Sequence, residues 1–192
     1  MNKKQTIQNT ALGLFVEKGY LKTPVRDIID GSGHGTSTFY RHFRNKEDVL
    51  RSLLEKFLSE ILSSLKDYYK TEDDFRTRFI ETKRVLIEVF IAHRELAELY
   101  VKSAGLGNEI EKCIADFDDS FIDILTKNVT FGIKKGAFRD VQPGPIAHGI
   151  LGTIKYSVYN WIVLKRITEQ ELIETVLSFH ESLGSGLFKD YT

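Results

Sequence analysis

Apolar side chains recur three and four positions apart along almost the whole 192-residue chain, the spacing that gives a helix one buried stripe. Residues 4–18 place Ile7, Ala11, Leu14 and Phe15 on one face, and Gly19 ends the segment. Thr23 suits a cap and Pro24 a first-turn position, which predicts a short helix over about 25–31. Gly31, Gly33 and Gly35 predict a loop, and a second short helix follows over 36–43. A long helix is predicted from Lys46 to about residue 69, carrying Leu50, Leu53, Leu54, Phe57 and Ile61. The same spacing predicts helices over 74–93 (Phe79, Leu86, Phe90), over 95–104, and over 108–135 with Ile110, Ile114, Phe117, Phe121 and Ile124 on one stripe. The run from Gly136 to Pro145 has turn chemistry, and two last helices are predicted over 145–165 and 168–184. No two-residue alternation bounded by turn residues interrupts this pattern. The expectation is an all-α fold of about nine helices.

Composition narrows the class of molecule. Apolar residues make up 42% and charged residues 28%, as in an ordinary globular protein. No apolar run approaches the ~18 residues of a membrane span, and no signal-type stretch follows the N-terminus, so a cytoplasmic protein without a membrane partner is expected. The lone Cys113 rules out an internal disulfide and suits a reducing compartment. His34, His42, His93, His148 and His180 are scattered without metal-ligand spacing. There is no glycine-rich phosphate loop, nucleophile elbow or dinucleotide fingerprint. Neither a cofactor nor an enzymatic reaction is expected.

Net charge is zero, yet its distribution is uneven. Residues 1–46 hold eight basic groups against three acids, leaving 19 of the 27 basic and 24 of the 27 acidic groups for the rest. One end is therefore suited to a polyanion. That end also carries two short helices joined by a glycine-bearing turn and flanked by longer helices, the helix-turn-helix arrangement. A helix that enters the ~12 Å major groove must be short, polar outward and anchored inward. Thr36-Ser-Thr-Phe-Tyr-Arg-His-Phe43 has this character: Phe39 and Phe43 share one face, while Thr36, Ser37 and Arg41 lie on others.

Gly19-Tyr20, Thr23-Pro-Val-Arg-Asp-Ile28, Gly33 and Thr38-Phe-Tyr-Arg-His-Phe43-Arg-Asn-Lys46-Glu-Asp-Val-Leu50 together resemble the DNA-binding domain of the tetracycline-repressor-like (TetR) family. The resemblance implies a homodimeric repressor with an N-terminal three-helix head over residues 1–46 and a helical ligand-binding and dimerisation body over 47–192. It further implies that Tyr40, His42 and Lys46 hydrogen-bond phosphates, that Thr23 holds the opposite side of the groove, and that Thr36, Ser37 and Arg41 meet base edges. The chain departs from the family pattern at His34, usually apolar, at Gly35, usually serine, and at Ser37, usually glycine.

In the body, residues 145–165 and 172–183 carry apolar groups on more than one face. This is the pattern of helices that bury surface against a second copy. Ile150, Ile154, Trp161, Leu172, Val176 and Leu183 are the expected interface, although the same residues could pack within their own subunit. Phe79, Phe90, Tyr100, Phe117, Phe121, Tyr156 and Tyr159 are candidates to line a cavity for an apolar or amphipathic effector, and His93-Arg94 a candidate to meet an anionic head group such as that of a fatty acyl thioester. Expected partners are double-stranded operator DNA, a second copy and a small-molecule effector. Rival readings are a helical protein–protein adaptor and an all-α enzyme that does not bind DNA.

Overall fold

The computed structural model describes residues 2–65, 74–103 and 108–189. Among them run nine helices: α1 (Lys3–Lys18), α2 (Val25–Ser32), α3 (Thr36–His42), α4 (Lys46–Leu65), α5 (Phe75–Ala92), α6 (Arg94–Lys102), α7 (Asn108–Lys134), α8 (Pro143–Ile162) and α9 (Glu169–Leu187). The predicted stretch 66–69 and residue 104 lie outside the described residues. The described residues form no strand, only an isolated antiparallel bridge between Phe138 and Phe188.

Among the boundaries that differ from the sequence reading, three have a clear local reason. Helix α2 passes through Gly31, where a Cβ would lie 3.0 Å from Thr10 Cγ2, so the missing side chain lets α2 sit close on α1. The stop is Gly33, whose φ of 66° is left-handed and whose N–H donates to the Asp30 carbonyl. Helix α8 begins at Pro143 rather than Pro145, because the first turn of a helix has no partners for its N–H groups and tolerates both prolines. Helix α9 opens on a capping box between Thr168 and Glu171 and continues through Gly184 and Gly186 to Leu187.

The chain clusters into two compact units, Met1–Leu58 with His93–Phe117, and Ser59–Ala92 with Asp118–Thr192. In the first, Ile7, Ala11 and Phe15 of α1, Ile28 of α2, Phe39 of α3 and Leu50 and Leu53 of α4 are buried. This unit extends beyond residues 1–46, taking in the start of α4, all of α6 and the first part of α7. In the second unit α9 packs against both α5 and α8. There Leu86, Ile87 and Phe90 of α5, Ile154 and Val158 of α8, and Leu172 and Val176 of α9 are buried.

That packing bears on the expected dimer interface. Ile150, Ile154, Trp161, Leu172 and Val176 are buried within the protomer itself, and Leu183 is half-buried. The wide apolar coverage of α8 and α9 is thus largely consumed by their own subunit.

After α7 the chain doubles back. Phe138 lies on Gly132, where a Cβ would come within 2.3 Å of its ring. Arg139 N donates to Leu187 O at 2.8 Å and Lys189 N to Ala137 O at 3.2 Å. The Phe138 ring meets Phe188 edge-on at 4.8 Å and Phe79 at 5.9 Å. Only glycine at 132 permits this closure.

Candidate nucleic-acid interface and effector cavity

The seven residues of α3 sort cleanly by face. Phe39 is buried, as is Phe43 immediately after the helix, and their rings lie 5.9 Å apart. Thr36, Ser37, Arg41 and His42 are exposed. Tyr40 is 55% exposed, although its ring edge rests against Phe39 at 5.2 Å. Among the described residues no carboxylate lies within ion-pair distance of Arg41, nor of Lys3, Lys4, Lys22 or Arg44. Two other cations of the head are spoken for: Lys18 pairs with Asp27 at 2.9 Å and Arg26 with Asp30 at 3.5 Å. An exposed helix surrounded by uncompensated positive charge is a surface for a polyanion.

Behind it stands a polar brace. The Lys46 ammonium, at the start of α4, donates to Tyr20 O at 2.8 Å and Thr23 O at 2.9 Å, and sits 4.4 Å from the centre of the Tyr20 ring. Burial pushes its pKa below the ordinary lysine value, with Glu47 opposing. The Tyr20 hydroxyl donates to Glu47 at 2.9 Å, and burial, then that bond, pushes the phenol far above its usual range. Thr23 is completely buried and its hydroxyl lies 2.9 Å from Gly19 O and 3.2 Å from Leu14 O. The side-chain polar groups of Lys46, expected on a phosphate, and Thr23, expected to hold the opposite side of the groove, are therefore turned into the head, where they hold the approach to α2 against α4.

The second unit contains a cavity of about 300 Å³. Helix α5 contributes Phe75, Arg78, Phe79, Thr82 and Lys83 to its wall. Helix α7 contributes Leu125, Asn128, Val129 and Phe131, with Phe138 and Ile150 completing it. Its outer part is more open, since Phe131 is exposed and Phe75 and Arg78 half-buried, with the Arg78 guanidinium 4.4 Å from the Phe75 ring centre.

Deeper, Lys83 is only 7% exposed. Its Nζ donates to Thr82 Oγ1 at 3.2 Å and Phe79 O at 3.3 Å, and stands 4.4 Å from the centre of the Phe79 ring. No carboxylate pairs with it among the described residues. Burial alone brings its pKa down to about 8. On α9, His180 is wholly buried, its Nδ1 lies 2.6 Å from Val176 O, and its Nε2 has no hydrogen-bond partner. Burial, then the Lys83 charge, lower its pKa to about 4 against the opposing Val176 bond, so this imidazole is neutral at pH 7.

Of the aromatic residues expected to line a cavity, Phe79 belongs to the wall of this one and the other six do not. Phe90, Tyr100, Phe117 and Phe121 are buried. Tyr100 and Phe117 pack on each other at 4.6 Å in the first unit. Tyr156 is exposed and Tyr159 half-buried on α8. His93 caps α6, also in the first unit, so the His93-Arg94 pair does not belong to the wall of this cavity. Sequence reasoning missed Lys83, yet the signal was present: it sits four residues after Phe79 and three before Leu86, on the apolar stripe itself. Among the described residues no group of three or more His, Cys, Asp or Glu side chains is placed to hold a metal, and no helix is long and apolar enough to cross a membrane.

Residues 7–53 match the model for bacterial regulatory proteins of the tetR family. A Syntrophomonas wolfei crystal structure described as a TetR-family transcriptional regulator is 48% identical, covers 97% of both chains and superposes with a TM-score of 0.94. The regulator FadR from Bacillus subtilis, solved in complex with stearoyl-CoA, is 23% identical over 95% of this chain and 98% of its own, with a TM-score of 0.81. The HTH-type transcriptional regulator YuxN of B. subtilis is 29% identical over 113 residues; the match spans 58% of this chain and 39% of YuxN. Identity of 48% along nearly the full length, together with the matched helix-turn-helix, makes this chain a member of the TetR family of bacterial transcriptional regulators, a DNA-binding protein rather than an enzyme.

Proposed function

We propose that the protein is a ligand-responsive repressor that binds a pseudo-palindromic operator as a homodimer and is released by a small apolar or amphipathic effector. The observation that carries this reading is the face of α3, where Thr36, Ser37, Tyr40, Arg41 and His42 stand exposed while Phe39 anchors the helix. Thr36 and Ser37 are small enough to approach base edges closely, and Arg41 can read a guanine through two parallel hydrogen bonds. Tyr40 and His42 fit phosphate oxygens, which fix register without reading sequence. Thr23 and Lys46 support this surface from inside.

Two recognition helices must stand ~34–36 Å apart to read successive major grooves. The faces of α8 and α9 that remain uncovered supply a surface for the second copy: Gly149, Gly152 and Tyr156 on α8 and Phe179 on α9 are exposed, opposite the consumed apolar stripe. The cavity of the second unit, largely apolar with a few polar groups, has the makeup of a small-molecule site. FadR bound to stearoyl-CoA is a fold relative holding an amphipathic ligand, which supports an effector of that character. Such a ligand lowers DNA affinity only by the difference in its own affinity for the two conformations.

Fluorescence anisotropy on the purified protein with duplexes tiled across the DNA flanking its own gene tests the reading. One duplex should bind specifically, as a dimer, with affinity falling steeply as salt rises. Equal binding to all duplexes, or none, overturns it.

A further inference from the structure

We propose that the cavity between α5, α7 and α8 takes an amphipathic organic monoanion, an aliphatic carboxylate, whose head group pairs with Lys83 while its chain lies against Leu125, Val129 and Ile150. The proposal rests on the effector reading above and adds the chemistry of the ligand. A charged side chain is costly to bury unless it is paired, and Lys83 is buried in the cavity wall with no carboxylate beside it among the described residues. Its present contacts are a carbonyl and a hydroxyl at 3.3 and 3.2 Å, both long for a charged donor. With a pKa of about 8 the ammonium is still the major form at neutral pH. The titratable group that faces it from α9, His180, is neutral and supplies no compensating charge.

A single negative charge matches a single deep cation. A phosphate monoester would bring a second charge into the same low-dielectric wall, where the nearest further cation on the lining, Arg78, is half-exposed near the opening and rests on Phe75. The volume of about 300 Å³, at the lower end of the ~300–1,000 Å³ range of small-molecule sites, admits one chain of moderate length. Apart from Thr82 and Asn128, the remaining wall offers apolar surface.

Calorimetric titration of the full-length protein at neutral pH with decanoate, decanol and decyltrimethylammonium tests this, repeated with the Lys83→Met variant. Decanoate should bind roughly 10- to 100-fold more tightly than decanol, the worth of a hydrogen bond to a charged group, and the cationic amphiphile least tightly. In Lys83→Met the apolar surface of Leu125, Val129 and Ile150 remains and decanoate should lose its advantage over decanol. Equal binding of decanoate and decanol by the wild type overturns the proposal without reference to any variant. So does an advantage that survives in Lys83→Met. Should decanol or stearoyl-CoA bind and release operator DNA while decanoate shows no preference, the effector reading stands and the assignment of Lys83 falls. If no probe binds, the proposal falls, and operator binding judges the regulator reading separately.

Discussion

Replacing Lys83 by methionine should make the ligand-free protein more stable. In the fold, the ammonium's pKa drops from 10.5 to about 8 through burial. At about 1.36 kcal/mol per pKa unit, a difference of that size places on the order of 3 kcal/mol against the folded state at pH 7. Methionine is close in shape and carries no charge, so repacking costs under about 1.5 kcal/mol. A net gain of about 2 kcal/mol raises the melting temperature of a chain this size by about 4–8 °C. The pH dependence identifies the cause. Because the folded pKa lies below the unfolded one, the unfolded state binds more protons between about pH 8 and 10.5, and wild-type stability recovers as pH rises through that window. Other titrating groups are common to both proteins and cancel in the difference. Urea denaturation at fixed protein concentration, from neutral pH to pH 10.5, should show the variant's advantage largest near neutrality and closing at the alkaline end. A variant that is less stable at neutral pH, or whose advantage does not change with pH, refutes the reasoning.

Tyr40→Phe should weaken binding to every duplex alike, whereas Arg41→Ala should lose ~1–3 kcal/mol of discrimination at one base pair; anisotropy over a single-substitution operator set separates the two. Lys46→Met removes a donor shared by Tyr20 O and Thr23 O and should cost about 2 kcal/mol of stability by urea denaturation, with the slope of log affinity against log salt unchanged; a slope reduced by about one at unaltered stability would instead make Lys46 a phosphate contact. Gly132→Ala drives a methyl to within 2.3 Å of Phe138 and should destabilise by about 1–2 kcal/mol, the overpacking cost less the small helix-propensity gain. A melting temperature equal to wild type would show that the turn after α7 yields freely.

The helices were legible because their buried side chains recur three and four positions apart, which leaves a regular spacing in the chain. Pro143 and Gly184, usual stop signals, misled at the ends of α8 and α9 because a first turn tolerates proline and because Gly184 is held in place by the folded-back Phe188. On α3 the division between Phe39 inside and Arg41 outside follows from four-residue spacing alone. Thr23 and Lys46 were harder: hydroxyl and ammonium groups satisfy backbone carbonyls as readily as phosphates, and Lys46 meets carbonyls more than twenty residues away while Thr23 turns back on those of Leu14 and Gly19. Aromatic content did not locate the cavity, since Phe90, Phe117 and Phe121 are needed as core. The informative residue was a polar one in an apolar row, Lys83. Likewise, sequence cannot tell an apolar face that meets its own subunit from one that meets a partner, and Ile154 and Leu172 proved to be of the first kind.

The anchorage of Lys46 on the carbonyls of Tyr20 and Thr23 has a consequence for how regulation would look at many promoters. A tilt at the start of α4 drags the lead-in to α2 with it, so the head swivels as a block and the outward side chains of α3 keep their mutual spacing. An inducer acting through that helix would then weaken affinity by one common factor at every operator, leaving the ranking of strong and weak sites as it was.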